Sequence, residues 1–169
     1  MSPELRCAEC ALVDRRTFLA QTALAGVAAF LAGCSAGSGP TGPSFNGPLV
    51  VSPAQYPSLN AVGGIARVDT PDGYPIAVVH MGAQQYAAFS LVCPHQRTAL
   101  RWNQGDGQFQ CPKHHSKYRP DGTFVSGRAT RGMDRFSVTR SGDEIVVDLD
   151  AMHKEDKDPA GWAAAVVHL

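Results

Sequence analysis

Hydrophobic residues in the second part of the chain come in short runs that are rich in β-branched and aromatic side chains. The runs are 49–51, 64–68, 76–80, 86–92, 108–110, 136–138 and 145–147. Turn-forming Gly, Pro, Asp and Ser residues separate many of them, as at 71–73, 105–107 and 141–143. Short runs of this composition, bounded by such turns, predict an all-β, antiparallel domain.

The first part of the chain carries a different pattern, a single apolar stretch. Residues 18–31 form a mostly apolar segment of fourteen residues, and Arg15 and Arg16 precede it. This segment is shorter than the roughly twenty apolar residues that a membrane-spanning helix needs. Consecutive arginines ahead of such a segment are typical of a twin-arginine export signal. Residues 1–33 are therefore predicted to be a twin-arginine leader.

The end of this leader, Leu31-Ala32-Gly33-Cys34, is similar to a bacterial lipobox. The similarity implies cleavage before Cys34 and lipidation of its thiol and of the new amino group. An uncleaved, tilted N-terminal anchor is the alternative that remains open. Under both alternatives the protein is exported and membrane-anchored, and it faces the periplasm or the cell exterior.

Composition divides the rest of the chain into three parts. Residues 34–48 are rich in Gly, Ser and Pro, as expected of a flexible tether. Residues 49–150 hold the predicted strands and are long enough for one domain. Residues 151–169 form a charged and then Ala-rich tail, which is expected to be either a short helix against the domain or a partner-docking arm.

Two short motifs carry the candidate chemistry, Cys93-Pro94-His95 and Cys111-Pro112-Lys113-His114. Each motif offers one thiolate and one imidazole, and fifteen residues separate His95 from Cys111. Two irons bridged by sulfide need two terminal ligands each, so the cysteines can bind one iron and the histidines the other. The residues between the motifs include Asn103-Gln104-Gly105-Asp106-Gly107, which predicts a hairpin that brings both loops to one end of a sheet.

The residues after the second motif strengthen this interpretation. Ser116 and Tyr118 follow it, and then Asp121-Gly122. Together with the four ligands, this pattern resembles the Rieske iron-sulfur family over roughly residues 48 to 150. The resemblance implies a [2Fe-2S] cluster and an antiparallel β-sandwich with a small cluster-binding subdomain. It also implies that Ser116 and Tyr118 donate hydrogen bonds to cluster sulfurs, which favours the upper half of the range of about −150 to +300 mV.

Two other uses of the ligand residues remain open. A structural zinc site is one, although such sites usually pair two Cys in one loop and two His in the other. A disulfide between Cys93 and Cys111 is the second, and it would leave both histidines unexplained. Of the five cysteines, the two at positions 7 and 10 leave with the predicted leader and lipidation consumes a third. Only Cys93 and Cys111 remain, so no spare pair exists for a structural disulfide.

The chain departs from the family pattern at three places. Thr98 and Lys113 stand where quinol-oxidising members usually have a disulfide between the two loops. His115 replaces a small glycine, which is unfavourable if that backbone has a positive φ, and it makes His115 a rival ligand to His114. The loop at 127–132 lacks the prolines of the family's covering loop, which predicts a less rigid cover.

The net charge of zero conceals a polarised chain. Between residues 97 and 140 there are nine Lys or Arg against three Asp, whereas residues 143–169 hold seven acids and two lysines. The cluster end is therefore predicted to be basic, which could steer an acidic redox partner. A neutral, exported domain of this kind is not expected to bind nucleic acid.

The function predicted from these features is one-electron transfer through a Rieske cluster. The chain would act as iron-sulfur subunit or partner of a membrane-associated respiratory oxidoreductase, and would not be catalytic alone. The resemblance implies a redox partner protein such as a cytochrome, and it leaves quinol open as a further partner. Two alternatives remain: a ferredoxin-like electron donor to an oxygenase, and a non-redox metal-binding lipoprotein.

Overall fold

The computed structural model describes residues 42–44, 46–83 and 85–168. The predicted leader, the lipobox with Cys34 and most of the tether lie outside the described residues. Eleven strands, one α-helix and one 3-10 helix (Pro57–Asn60) are present in the described part of the chain. The strands are β1 Pro48–Val51, β2 Ile65–Asp69, β3 Pro75–Gly82, β4 Gln85–Ser90, β5 Arg101–Asn103, β6 Gln108–Gln110, β7 Lys117–Tyr118, β8 Phe124–Ser126, β9 Arg135–Ser141, β10 Glu144–His153 and β11 Val166–His168, and the α-helix is α1 Pro159–Ala164.

The strands form two antiparallel sheets, which confirms the all-β prediction. The larger sheet has the order β1-β10-β9-β4-β3-β2, with β11 also paired to β4. The smaller sheet has the order β5-β6-β7-β8 and comprises residues 101–126, between β4 and β9 in the chain. A small subdomain is therefore inserted into a larger base, as the family resemblance implied.

Two hydrophobic cores correspond to this division. The core of the base includes Val51, Val78, Phe136 and Val147, which are all fully buried. Along β10, Val147 and the other buried residues alternate with more exposed ones, as expected of a strand with one buried face. The second core contains residues of the subdomain together with Phe89 of β4, whose ring lies 6.5 Å from that of Phe109. Phe89 thus ties the subdomain to the base.

The C-terminal segment packs against the junction of base and subdomain. Its helix α1 begins after Asp158, whose carboxylate accepts a hydrogen bond from the amide of Gly161 at 2.9 Å. The indole of Trp162 donates to the carbonyl of Met133 at 2.7 Å, and β11 then pairs with β4. Of the two roles expected for the tail, a short helix against the domain is the one that these contacts show. Within the described residues, no helix has both the length and the apolar character needed to cross a membrane.

Candidate metal centre

The two predicted ligand motifs form loops of the same construction. In the first, the amide of Cys93 donates to the carbonyl of Thr98 at 2.9 Å, and the amide of Arg97 donates to the carbonyl of Cys93 at 2.8 Å. In the second, the amide of Cys111 donates to the carbonyl of Ser116 at 2.9 Å, and that of His115 to the carbonyl of Cys111 at 3.0 Å. Each loop therefore holds its cysteine by two backbone hydrogen bonds.

Strand pairing in the subdomain brings these loops to the same end of the molecule. An isolated bridge between Val92 and Ala99 closes the base of the first loop. The β5–β6 hairpin pairs Trp102 with Phe109, and β6 pairs with β7 on either side of the second loop. The hairpin expected between the two motifs is thus present.

The structure brings the four predicted ligands together as two pairs, one of cysteines and one of histidines. Cys93 and Cys111 are both 1% exposed, neither is in a disulfide, and their thiols interact with each other. The rings of His95 and His114 lie with their centroids 5.0 Å apart. The disulfide alternative is therefore not found, because both thiols are free.

The two histidines carry the observation that points most directly to a metal. Nδ1 of His95 and Nδ1 of His114 are both buried, and neither has a hydrogen-bond partner. Buried polar atoms are nearly always paired, so two unpaired imidazole nitrogens call for a partner that protein atoms do not supply. Metal ligation satisfies both nitrogens.

The charge state of these groups suits ligation. Desolvation lowers the pKa of His114, and the positive charges of His95, Arg128, Lys113 and His115 lower it further, which favours the neutral imidazole that binds metals. Burial raises the pKa of the Cys93 thiol. A buried thiol of this kind loses its proton when it binds a metal, because the metal supplies the positive charge.

The residue types of the ligand set, two thiols and two imidazoles, suit a sulfide-bridged pair of irons. Within the described residues, no three His, Cys, Asp or Glu side chains are grouped closely enough to hold a single metal ion. A sulfide-bridged pair of irons needs only two protein ligands on each iron, so a cysteine pair and a histidine pair fit it. A mononuclear zinc site would need all four side chains around one point.

Ser116 fastens the loop 127–132 to the second ligand loop. The side chain is fully buried, and its Oγ accepts hydrogen bonds from the amides of Arg128 and Ala129, both at 3.1 Å. Gly127 has a left-handed backbone with φ +109°, and a Cβ there would lie 2.4 Å from Cα of Ser116. Only glycine fits this approach. Oγ accepts both bonds, and donation of its own hydrogen to a cluster sulfide remains a prediction.

Tyr118 contacts one of the candidate iron ligands. Its ring is fully buried, and its hydroxyl lies 3.6 Å from Sγ of Cys93. Burial and the hydrogen bond with Cys93 raise the pKa of Tyr118 far above its ordinary value. The hydroxyl therefore keeps its proton and can donate it to the sulfur, and its role beside a cluster stays a prediction.

His115, the rival ligand, lies apart from this set. It is exposed, and its Nδ1 is 3.5 Å from Nε2 of Gln110 rather than buried and unpaired. His114 thus remains the candidate ligand. The sequence analysis did not single out Gly127 or the buried Arg135. A glycine directly after a strand, at the start of a loop, was the one available signal for the former.

Comparison with known proteins agrees with this geometry. Residues 50–147 match the Rieske [2Fe-2S] domain family. A cytochrome b6-f complex iron-sulfur subunit from Synechococcus sp. (strain JA-3-3Ab) is 34% identical over 68 residues, which cover 40% of this chain and 40% of that subunit. A cytochrome b6-f complex iron-sulfur subunit 3 from Nostoc sp. (strain PCC 7120 / SAG 25.82 / UTEX 2576) is 51% identical over 37 residues, covering 22% and 21%.

Among solved structures, the quaternary ammonium Rieske monooxygenase CntA superposes with a TM-score of 0.51 at 17% identity. The match covers 70% of this chain and 37% of the oxygenase, and it supports the fold alone. The chain spans about two fifths of the length of the cytochrome b6-f subunit from Synechococcus that it matches.

Proposed function

Because the chain belongs to the Rieske [2Fe-2S] domain family, we propose that it is a one-electron carrier whose cluster is held by Cys93, His95, Cys111 and His114. The cysteine thiolates would bind one iron, and Nδ1 of each histidine the other. The observation that carries this assignment is the pair of buried, unpaired Nδ1 atoms on rings 5.0 Å apart. When bound, such a cluster takes up and releases one electron at about −150 to +300 mV.

The surrounding residues support this use of the site. The backbone hydrogen bonds within each loop fix the two cysteines, and burial keeps water from the thiols. The hydroxyl of Tyr118, 3.6 Å from Sγ of Cys93, would stabilise negative charge on that sulfur. Ser116 holds the segment at 127–129 against the second loop. These contacts would favour the reduced state and so a potential in the upper half of the range.

The proposal extends to a role in a respiratory complex. The curated relatives are named as iron-sulfur subunits of the cytochrome b6-f complex. By analogy, this chain would serve as the iron-sulfur subunit or partner of a membrane-associated oxidoreductase, with a cytochrome as redox partner and quinol as a further one. Attachment would be through a lipid on Cys34 or an N-terminal anchor, with the domain facing the periplasm or cell exterior.

Metal analysis of the purified protein tests the assignment of the site. We expect about two irons and two acid-labile sulfides per chain, and an EPR signal at low temperature after reduction. His114→Ala should lose that signal, whereas His115→Ala, a matched change of the adjacent histidine, should keep it. A protein that holds one zinc and no iron, or that loses the signal only in His115→Ala, would overturn the assignment.

A further inference from the structure

The three loops at the candidate metal centre carry positive charge and no acidic residue. Residues 93–98, 111–117 and 127–132 contain three lysines or arginines that are exposed, namely Arg97, Lys113 and Arg128, and no Asp or Glu. Two further cations of these loops are in ion pairs, Lys117 with Asp106 at 3.1 Å and Arg131 with Asp134 and Asp156. Arg97 and Lys113 lie within two residues of the candidate ligands His95 and His114.

Two of these cations lie beside the second ligand loop. Lys113 directly precedes His114 in the chain, and the amide of Arg128 donates to Oγ of Ser116, two residues after His114, at 3.1 Å. Neither side chain forms an ion pair in the part of the chain that the structure describes. Arg97 lies two residues from His95 in the other loop. An approaching molecule that reaches the imidazole edges therefore meets positive potential first.

A groove beside the second loop extends this surface. It has a volume of about 590 Å³, and Trp102 and Arg101 line one part of it while Pro112 and His115 line another. Trp102 is 36% exposed, although its ring packs edge-on against Phe109. No acidic residue lines the groove. Tryptophan and arginine are the residue types most enriched where protein partners bind tightly.

We propose that this surface, formed by Arg97, Lys113, Arg128 and the groove at Trp102, docks a redox protein that presents an acidic face. The inference rests on the proposed function, because it takes the histidine ligands as the exit for the electron. An anionic membrane surface could also attract these cations, but lipid head groups accept no electron. A protein partner uses both the charge and the position of the ligands.

Opposite charges at the two surfaces would speed encounter without a need for new buried contacts. Electrostatic steering raises association rates by about 10-fold to 1,000-fold, and the effect disappears when salt screens the charges. The predicted signature is therefore a rate that depends on partner charge and on ionic strength, with the dependence located in these side chains.

Mitochondrial cytochrome c and its succinylated form provide a matched pair of probes, since the first is basic and the second acidic. The reduced full-length protein is mixed with each, and haem reduction is followed from about 0.01 M to about 1 M salt, where the Debye length falls from about 30 Å to about 3 Å. At low salt we expect the succinylated form to react about 10-fold faster than the native form, and the ratio to approach one at high salt.

Charge-reversal variants test whether Lys113 and Arg128 cause the difference between the two reduction rates. Lys113→Glu and Arg128→Glu should each lower the ratio of the two rates several-fold, and the double variant should invert it. Arg140→Glu makes the same change near the far end of β9, where Arg140 pairs with Asp143, and should leave the ratio unaltered. Because both rates use the same variant as donor, their ratio cancels the effect of any change in the variant's own reduction potential.

The outcomes separate this inference from the proposed function. An EPR signal with equal rates for both probes, or with equal effects of Arg128→Glu and Arg140→Glu, would overturn the docking surface and leave the electron carrier intact. Binding to phosphatidylglycerol vesicles that Lys113→Glu abolishes, together with equal probe rates, would assign the surface to the membrane instead. A protein without an EPR signal would overturn both.

Discussion

Arg97 and His115 occupy the same place in the two ligand loops. Each lies four residues after the cysteine of its loop, each has a positive φ (50° and 55°), and each donates its amide to the carbonyl of that cysteine. The loops differ in where the histidine ligand falls, two residues after Cys93 but three after Cys111. A shared backbone turn therefore presents the imidazole from two different positions.

Because the backbone at His115 is left-handed, we expect a glycine at this position to stabilise the second ligand loop. This conformation costs a residue with a Cβ roughly 1–2 kcal/mol of steric energy, whereas glycine adopts it without that cost. His115→Gly should therefore have a higher free energy of unfolding than His115→Ala by about 1 kcal/mol, as measured by urea denaturation of the two variants. Both lose the contact with Gln110, so their difference reports the backbone alone. A less stable His115→Gly would show that the positive φ carries no strain.

Because the hydroxyl of Ser116 binds two amides of the loop 127–132, we expect that loop to be locally rigid. Ser116→Ala leaves the amides of Arg128 and Ala129 without their acceptor, at a cost of about 1–3 kcal/mol. Hydrogen exchange at these two amides should accelerate, because the segment at 127–129 loses its attachment. Ser126→Ala, which removes an exposed hydroxyl from the neighbouring strand, is the control. Unchanged exchange in Ser116→Ala would refute the attachment.

The hydroxyl of Tyr118 is expected to raise the reduction potential. Tyr118→Phe removes a donor to Sγ of Cys93, and a loss of about 1.4 kcal/mol from the reduced state corresponds to a decrease of about 60 mV for one electron. The measurement is a redox titration followed by EPR. Tyr74→Phe removes another buried hydroxyl, hydrogen-bonded to Ser90, and should leave the midpoint unchanged. Equal midpoints for wild type and Tyr118→Phe would remove this role.

Arg135 of the base contacts both the subdomain and the C-terminal segment, and we expect these contacts to stabilise the fold. Its guanidinium is buried, lies 3.4 Å from the ring centroid of Trp162, and donates to the carbonyls of Trp162 at 2.7 Å and Asp121 at 2.6 Å. Arg135→Met should lower the free energy of unfolding by roughly 3 kcal/mol, since two carbonyls lose a charged donor and the stacking is lost. Arg140→Met, at an exposed position on the same strand, should cost at most about 0.5 kcal/mol. Equal losses would contradict the joint.

The sequence predicted those parts of the fold that local patterns specify. The runs at 76–80 and 145–147 lie within β3 and β10, because β-branched residues with one or both faces buried favour strands. Strands β7 and β8 have only two and three residues and no such pattern. Their pairing depends on the closure of the ligand loops, which is a long-range effect. The strand β11 in the predicted tail depends likewise on its pairing with β4.

In the candidate site, too, some features follow from the sequence pattern and others depend on the folded structure. The four candidate ligands stand out in the sequence because the chemistry of a two-iron cluster sets their residue types and spacing, and their ligation stays a prediction. The attachment of the loop 127–132 could not, because the contact between Ser116 and Gly127 joins positions that only the folded subdomain brings together. Nor could charge counting show that Lys117 and Arg131 are paired while Lys113 and Arg128 remain exposed.

The central claim is that two histidine nitrogens and two cysteine sulfurs hold a two-iron cluster. Electron-nuclear double resonance on the reduced protein, prepared with isotope-labelled histidine, measures this most directly because it detects nitrogen bound to iron. We predict two coupled histidine nitrogens in wild type and in His115→Gly, with no bound cluster in His95→Ala or His114→Ala. A signal without histidine coupling, or one that loses a coupling in His115→Gly, would contradict the account.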